Sequence, residues 1–166
     1  MNDYQNMDLL SELEARLADW LGSQAELATL VRTFEAELRP ALVSGEELSK
    51  GFPDADLPAI NVVAGLEDTT SAPRTATQST IVVPVSIVFV VKGQSRTEAR
   101  RNGRALEDTL QMVLNRCRPS AGQQLGKNTV LVGEIRTSTN TEQNGPRFYG
   151  LGETKVSIQR VREMSL

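Results

Sequence analysis

Apolar residues near the start of the chain recur at helical spacing. Leu10, Leu13, Leu17, Trp20 and Leu21 line one face of a predicted helix. Glu12 and Arg16 form an i,i+4 pair on its wet side, and Gly22 stops it. Ser23 and Glu26 have the spacing of a capping box, after which Leu27, Leu30, Val31, Phe34 and Leu38 carry a second helical stripe to Pro40. The stretch "ALVSGEELSKGFPDADLP" reads as a connector, with one helical turn after Ser44.

The periodicity then changes from helical to alternating. "PAINVVAG", Pro58 to Gly65, is β-branched and bounded by turn formers, so it predicts a strand. The polar segment from Glu67 to Ser79 predicts an exposed loop. In "TIVVPVSIVFVVKG" the odd positions Ile81, Val83, Val85, Ile87, Phe89 and Val91 are all apolar and face a core. The even positions, Val82, Pro84, Ser86, Val88 and Val90, are mostly apolar too. Pro84 cannot donate to a ladder, so the strand is expected to be an edge there or to carry a bulge. An edge strand with a second apolar face invites aggregation unless a neighbouring subunit covers it.

A long helix follows, opened by a capping box at Ser95 and Glu98 and lined by Ala99, Leu106, Leu110, Val113, Leu114 and Cys117. Two more strands are predicted, Thr129 to Ser138 and onward from Glu153, separated by the polar tip "TNTEQNGPRFYGLG". The order α-(α)-β-β-α-β-β indicates one α+β domain over residues 1–166. Its sheet is mainly antiparallel, of about four strands, with helices packed on one face.

Composition narrows the chemistry. With no histidine and one cysteine, a metal site would need carboxylates alone, and pairs such as Glu46-Glu47 and Glu107-Asp108 sit on predicted surfaces. Cys117 lies on the apolar side of the long helix, where a thiol is buried and inert, and as the single cysteine it allows no intramolecular disulfide. No histidine exists to activate a serine, although a serine–lysine pair stays open on residue types alone. "GLG" at Gly150 to Gly152 precedes a strand rather than a helix, which is wrong for a phosphate loop and predicts a bulge or bend. The expectation is a non-enzyme with no cofactor and no metal. The start "MNDYQNMDLL" lacks the features of a secretory signal, and no apolar run reaches the ~20 residues of a membrane span. A cytosolic chain with no membrane partner is expected.

Charge is distributed unevenly. Residues 1–70 carry 14 acidic and 4 basic side chains (net −10), and residues 71–166 carry 7 acidic and 14 basic (net +7). Such asymmetry suits a solvated surface, head-to-tail self-association or a nucleic-acid partner. Arg96, Arg100, Arg101 and Arg104 crowd the first half of the long helix, where the helix dipole disfavours cations. Only seven aromatic residues accompany the basic ones, too few for the stacking of single-stranded nucleic acid.

The succession of an amphipathic helix, an acidic connector, "DLPAINVVAG", a strand ending "VFVVKG" and the helix "SRTEARRNGRALEDTLQMVLNR" resembles the tail terminator (tail-completion) proteins of tailed bacteriophages. The resemblance spans about residues 8–162 and lies in element order and texture, with no invariant motif. It implies a structural virion protein, a homohexameric ring on the head-proximal end of the tail tube, assembled in the host cytoplasm. The ring ends tube polymerisation and offers a surface for joining the head. Implied partners are other copies of itself, the tail tube protein and a neck or head-completion protein. The N-terminal helical region is longer than in small siphophage members, which suits a contractile tail with a sheath partner. On this reading Arg96, Arg100, Arg101 and Arg104 meet Glu46, Glu47, Asp54 or Asp56 of the adjacent subunit. The polar loops 67–79 and 137–146, through Thr69, Thr70, Arg74, Thr139, Asn140 and Asn144, reach the tube. The competing readings are a neck or head–tail connector protein and a small DNA-binding module using the arginine helix. No specific nucleic-acid binding is expected on the terminator reading.

Overall fold

In the computed structural model, which describes Tyr4 and residues 6–34, 39–42, 58–65 and 78–163, the first apolar stripe becomes helix α1, Leu9–Gly22. Asp8 caps it by accepting the Ser11 N–H at 2.8 Å, one of the donors a helix start leaves without an intrahelical partner. Helix α2, Ala25–Thr33, follows at once, but not through the predicted capping box. Ser23 closes α1 instead, its hydroxyl donating to the Trp20 carbonyl at 2.7 Å. Gln24 takes the N-cap position of α2 without a side-chain bond. Two helices this close compete for one hydroxyl, and the free carbonyls ending α1 take it.

The remaining elements are β1 (Arg39–Leu42), β2 (Ala59–Ala64), β3 (Gln78–Gly93), α3 (Arg96–Cys117), a short turn of 3-10 helix, α4 (Ala121–Gln124), β4 (Thr129–Asn144) and β5 (Arg147–Glu163). They form one sheet in the order β1-β2-β3-β5-β4, antiparallel except for β1, which runs parallel to β2. The α+β class, the element order and the helices on one face are as predicted, and β1 is an addition. Pro40, the predicted helix stop, lies in that short edge strand, where a missing N–H need not be matched. Residues 35–38, most of the predicted connector and most of the 67–79 loop lie outside the described residues.

β3 pairs β5 along Gln78–Gly93 but β2 only from Val85 to Val90, so at Pro84 it has no described strand partner on the β2 side, as expected of an edge there. Its odd positions from Ile81 to Val91 are buried, none more than 7% exposed, and belong to one core with residues of α1 and α3. Pro84 is tolerated because described pairing with β2 ends at Ala64↔Val85. Just beyond it the Gly65 N–H donates to the Pro84 carbonyl at 2.7 Å, and the return bond, which proline cannot make, is simply missing. The bulge lies elsewhere. β4 shifts register against β5 between Val132 and Arg136, with Gly133 at φ +72, and Arg118 donates to the Gly133 carbonyl at 3.0 Å.

The predicted polar tip is strand. β4 and β5 pair from Arg136↔Lys155 out to Asn144↔Arg147, so the only turn is at Gly145-Pro146. Alternation of apolar and polar residues was absent there because this arm is wet on most of both sides, and periodicity reports burial rather than pairing.

Three anchors fix the helices on the sheet. Arg160 of β5 forms an ion pair with Glu12 of α1 and donates to the Thr129 hydroxyl at 2.9 Å. Glu14 of α1 accepts the Ala64 N–H at 2.7 Å, where β2 runs out, and partial burial pushes that carboxyl's pKa upward. The third is close approach through glycine. Neither glycine of "GLG" is bulged or bent out of the ladder, since both pair regularly with β3. A methyl group on Gly150 would lie 2.5 Å from the Ala99 carbonyl oxygen of α3, and one on Gly152 would collide with the Phe89 ring. These glycines let a helix and an aromatic ring lie directly on strand backbone.

Gly103 of α3 faces Gly150, but a methyl group there would meet its α-carbon at 3.6 Å, an ordinary contact. Gly103→Ala is therefore expected to stabilise the fold by up to about 1 kcal/mol through helix propensity. Gly150→Ala is expected to cost about 1–3 kcal/mol by overpacking. Urea unfolding of both variants checks the pair, and equal effects of one sign would contradict this packing. A second expectation concerns the ion pair joining α2 to α3, in which Arg116 donates to Glu26. That hydrogen bond holds the Glu26 carboxyl at about 2 against an ordinary 4.5. A depressed folded-state value stabilises above the unfolded pKa and fades as pH falls from 4.5 toward 2. In Arg116→Ala the Glu26 carboxyl should titrate near its ordinary value, read by NMR, and its share of the acid limb should vanish.

Candidate interaction surfaces

Three of the four predicted arginines come together, and they meet residues assigned by sequence to a different task. Arg96, Arg100 and Arg104 stand at i, i+4 and i+8 on α3 and therefore on one side of it, whereas Arg101 is turned away. Opposite them runs the outer arm of β4. Thr139 and Thr141 pair with Gly152 and Gly150, so they face α3. Together Arg96, Arg100, Arg104, Thr139, Asn140 and Thr141 line a cleft of about 290 Å³. Farther along the same seam Thr137 donates to Glu107 of α3 at 2.6 Å, which holds the arm against the helix. The cleft contains cations, hydroxyls and one amide, and no carboxylate among its lining residues. Among the described residues none of its three guanidinium groups forms an ion pair.

Arg101 instead borders a second cleft of about 580 Å³ with Phe34, Lys92, Glu98 and Asn102. Asn144 lies at the far end of β4, beside the turn. Glu46, Glu47, Asp54, Asp56, Thr69, Thr70 and Arg74 lie outside the described residues.

A second surface is the face of the sheet turned away from the helices. Val82 and Pro84 of β3, Leu151 of β5, and Val130 and Val132 of β4 lie on it, Val130 being 45% exposed. No described helix crosses these residues, which are half-buried to exposed. A groove of about 530 Å³ opens where β2 ends and β4 bulges, and Val63, Pro84, Arg136 and Lys155 are among its walls. Nearby Asn61 is fully buried, and its side-chain amide finds no hydrogen-bond partner among the described residues. Nothing in the residue pattern marked Asn61, because an asparagine within a strand carries no periodic signal.

Cys117 is buried, and desolvation pushes its thiol up to about 11, so thiolate is scarce at neutral pH. Among the described residues no three His, Cys, Asp or Glu side chains converge as metal ligands, and no helix is long and apolar enough to cross a membrane.

No family model matches the chain, and no curated protein matches it. Among solved structures it is similar to a chain of the "Virion of native gene transfer agent (GTA) particle", at 18% identity and a TM-score of 0.45, over 89% of this chain and 94% of that one.

Proposed function

We propose that this protein is a structural virion subunit, a tail terminator that assembles into a ring on the head-proximal end of a phage tail tube. The observation that carries the reading is the sheet's second face, apolar in Val82, Pro84, Leu151, Val130 and Val132 and crossed by no described helix. A surface of this kind calls for a protein partner. A closed ring supplies one, because its heterologous contacts set two different patches of one chain against each other. The opposite charges of the two parts of the chain suit that geometry, and the element order is the one the phage resemblance rests on. In this assembly the β4–β5 arm extends toward the tube, the exposed sheet face lies against the adjacent ring member or a tube subunit, and the opposite rim meets the neck. The protein's work is to bind and cap, with no catalysis.

The test is mass in solution by light scattering across protein concentration and salt, with electron microscopy of tail tubes after mixing. Hexamers, or monomers that form sixfold rings on one tube end, are expected. Val82→Glu and Val130→Glu should keep the circular dichroism of the parent and lose ring formation. A strict monomer that ignores tube ends would sink the proposal, and preference for a portal-side surface would favour a head–tail connector.

A further inference from the structure

We propose that the cleft between α3 and the outer arm of β4 is the receiving slot for Asp54-Ala55-Asp56 of a second copy of this chain. The inference deepens the self-assembly reading above and rests on it.

The slot is a row of charges with a definite repeat. Arg96, Arg100 and Arg104 are each four residues apart, so their α-carbons step along α3 by about 6 Å. Cations in the first half of a helix oppose its dipole, and these three have no anionic partner among the described residues. The facing wall adds only neutral groups, the Thr139 and Thr141 hydroxyls and the Asn140 amide. The Asn140 side-chain oxygen already accepts the Thr141 N–H at 2.9 Å, which leaves its NH₂ to donate outward. A site so composed takes carboxylates or phosphates, and a periodic row takes them from a chain rather than from a lone ion.

Leaving aside Glu12 and Glu14, which α1 commits to other contacts, two acidic pairs stand at i and i+2, Glu35 with Glu37 and Asp54 with Asp56, and only the second has no basic residue at the next same-face position, where Arg39 follows the first. In extended backbone, residues i and i+2 point the same way and lie about 6.6 Å apart. Asp54 and Asp56 are two residues apart in sequence, so an extended segment would set them at close to the step between adjacent arginines. Pro53 and Pro58 flank the segment, and each biases the residue before it away from helix. Glu46 and Glu47 are adjacent, so an extended chain would turn only one of them toward the row. Guanidinium groups also suit carboxylates geometrically, since the planar fork donates to both oxygens at once. The narrowing has a consequence for Arg101, which lies outside the slot and should contribute little.

Site-directed cross-linking tests the contact directly, because native Cys117 is buried and will not compete. One copy carries Ala55→Cys and the other Asn140→Cys, and a short bismaleimide is added to the mixture. A cross-linked dimer is expected. Adding Arg100→Glu and Arg104→Glu to the Asn140→Cys copy should lower its yield about tenfold or more, with Arg101→Glu having little effect. Circular dichroism and a thermal melt confirm that each variant is folded. Absence of the dimer from folded protein overturns the proposal. So does a chain carrying both cysteines that closes on itself instead of laddering, which would give the slot to its own acidic segment. Loss of low-salt binding to duplex DNA in Arg100→Glu/Arg104→Glu, with no cross-link in the parent, would assign the row to phosphate and overturn it too. The two readings separate cleanly. Rings on tube ends without the cross-link sink the slot alone, and the cross-link without rings sinks the terminator reading alone.

Discussion

The close approach of α3 to β5 is the contact on which the arrangement of this protein depends. Where the Ala99 backbone lies against Gly150, there is no room for even a methyl group. A helix held one side chain farther off would keep its apolar stripe partly buried, because hydrophobic contact tolerates some variation in distance. It would not keep its arginines beside Thr139 and Thr141, which extend from the strand paired to β5 at that level. Gly150 thus sets the height of the helix above the sheet, and that height makes the arginine row one wall of a cleft rather than a free-standing charged face. Phe89 uses the second glycine in the same way, its ring taking the space that a side chain on residue 152 would fill.

Around that contact the molecule is a slab with unequal sides. The helix side is a closed core running from Leu13 and Leu17 through Ile87 and Phe89 to Leu110 and Ile158. Ion pairs and caps at its margins, Arg160 with Glu12 and Glu14 with the Ala64 N–H, keep α1 seated where β2 ends. The other side carries apolar groups without a described cover beyond β3. A β-sheet with one such face has limited choices in water, namely a partner or a cost in solubility. Charge adds direction to that demand. Head-to-tail contact sets unlike patches against one another in every repeat, and a twofold contact does so only where the two patches lie on opposite sides of the axis.

Much of the fold was legible in the residues. Helical periodicity located α1 and α3, the Ser95 cap bonds the Glu98 N–H at 3.1 Å, and the alternating run of odd positions in β3 gave the core face. These features are local or depend only on burial, and both leave a period in the sequence. The errors have a common cause. β1 is four residues long, the outer arm of β4 and β5 is wet on most of both sides, and Ser23 had two helix ends to serve. In each case pairing or capping was decided by a partner distant in sequence or by competition between neighbours. Pro84 was read correctly, since a proline in a strand excludes a ladder bond and β3 has no described strand partner on its β2 side beyond Val85.

For the candidate site, the sequence alone determined that four arginines crowd the first half of one helix and that the chain's acid and base are segregated, because element periodicity and composition need no tertiary knowledge. It also determined that a histidine or disulfide mechanism is impossible within the chain. Only the tertiary structure decided that Thr139, Asn140 and Thr141 join Arg96, Arg100 and Arg104, that Arg101 does not, and that "GLG" serves contact rather than a bend. Those outcomes depend on how near a helix settles to a strand some fifty residues away. That distance is set by the absence of a side chain at Gly150, and an absence leaves no period to read.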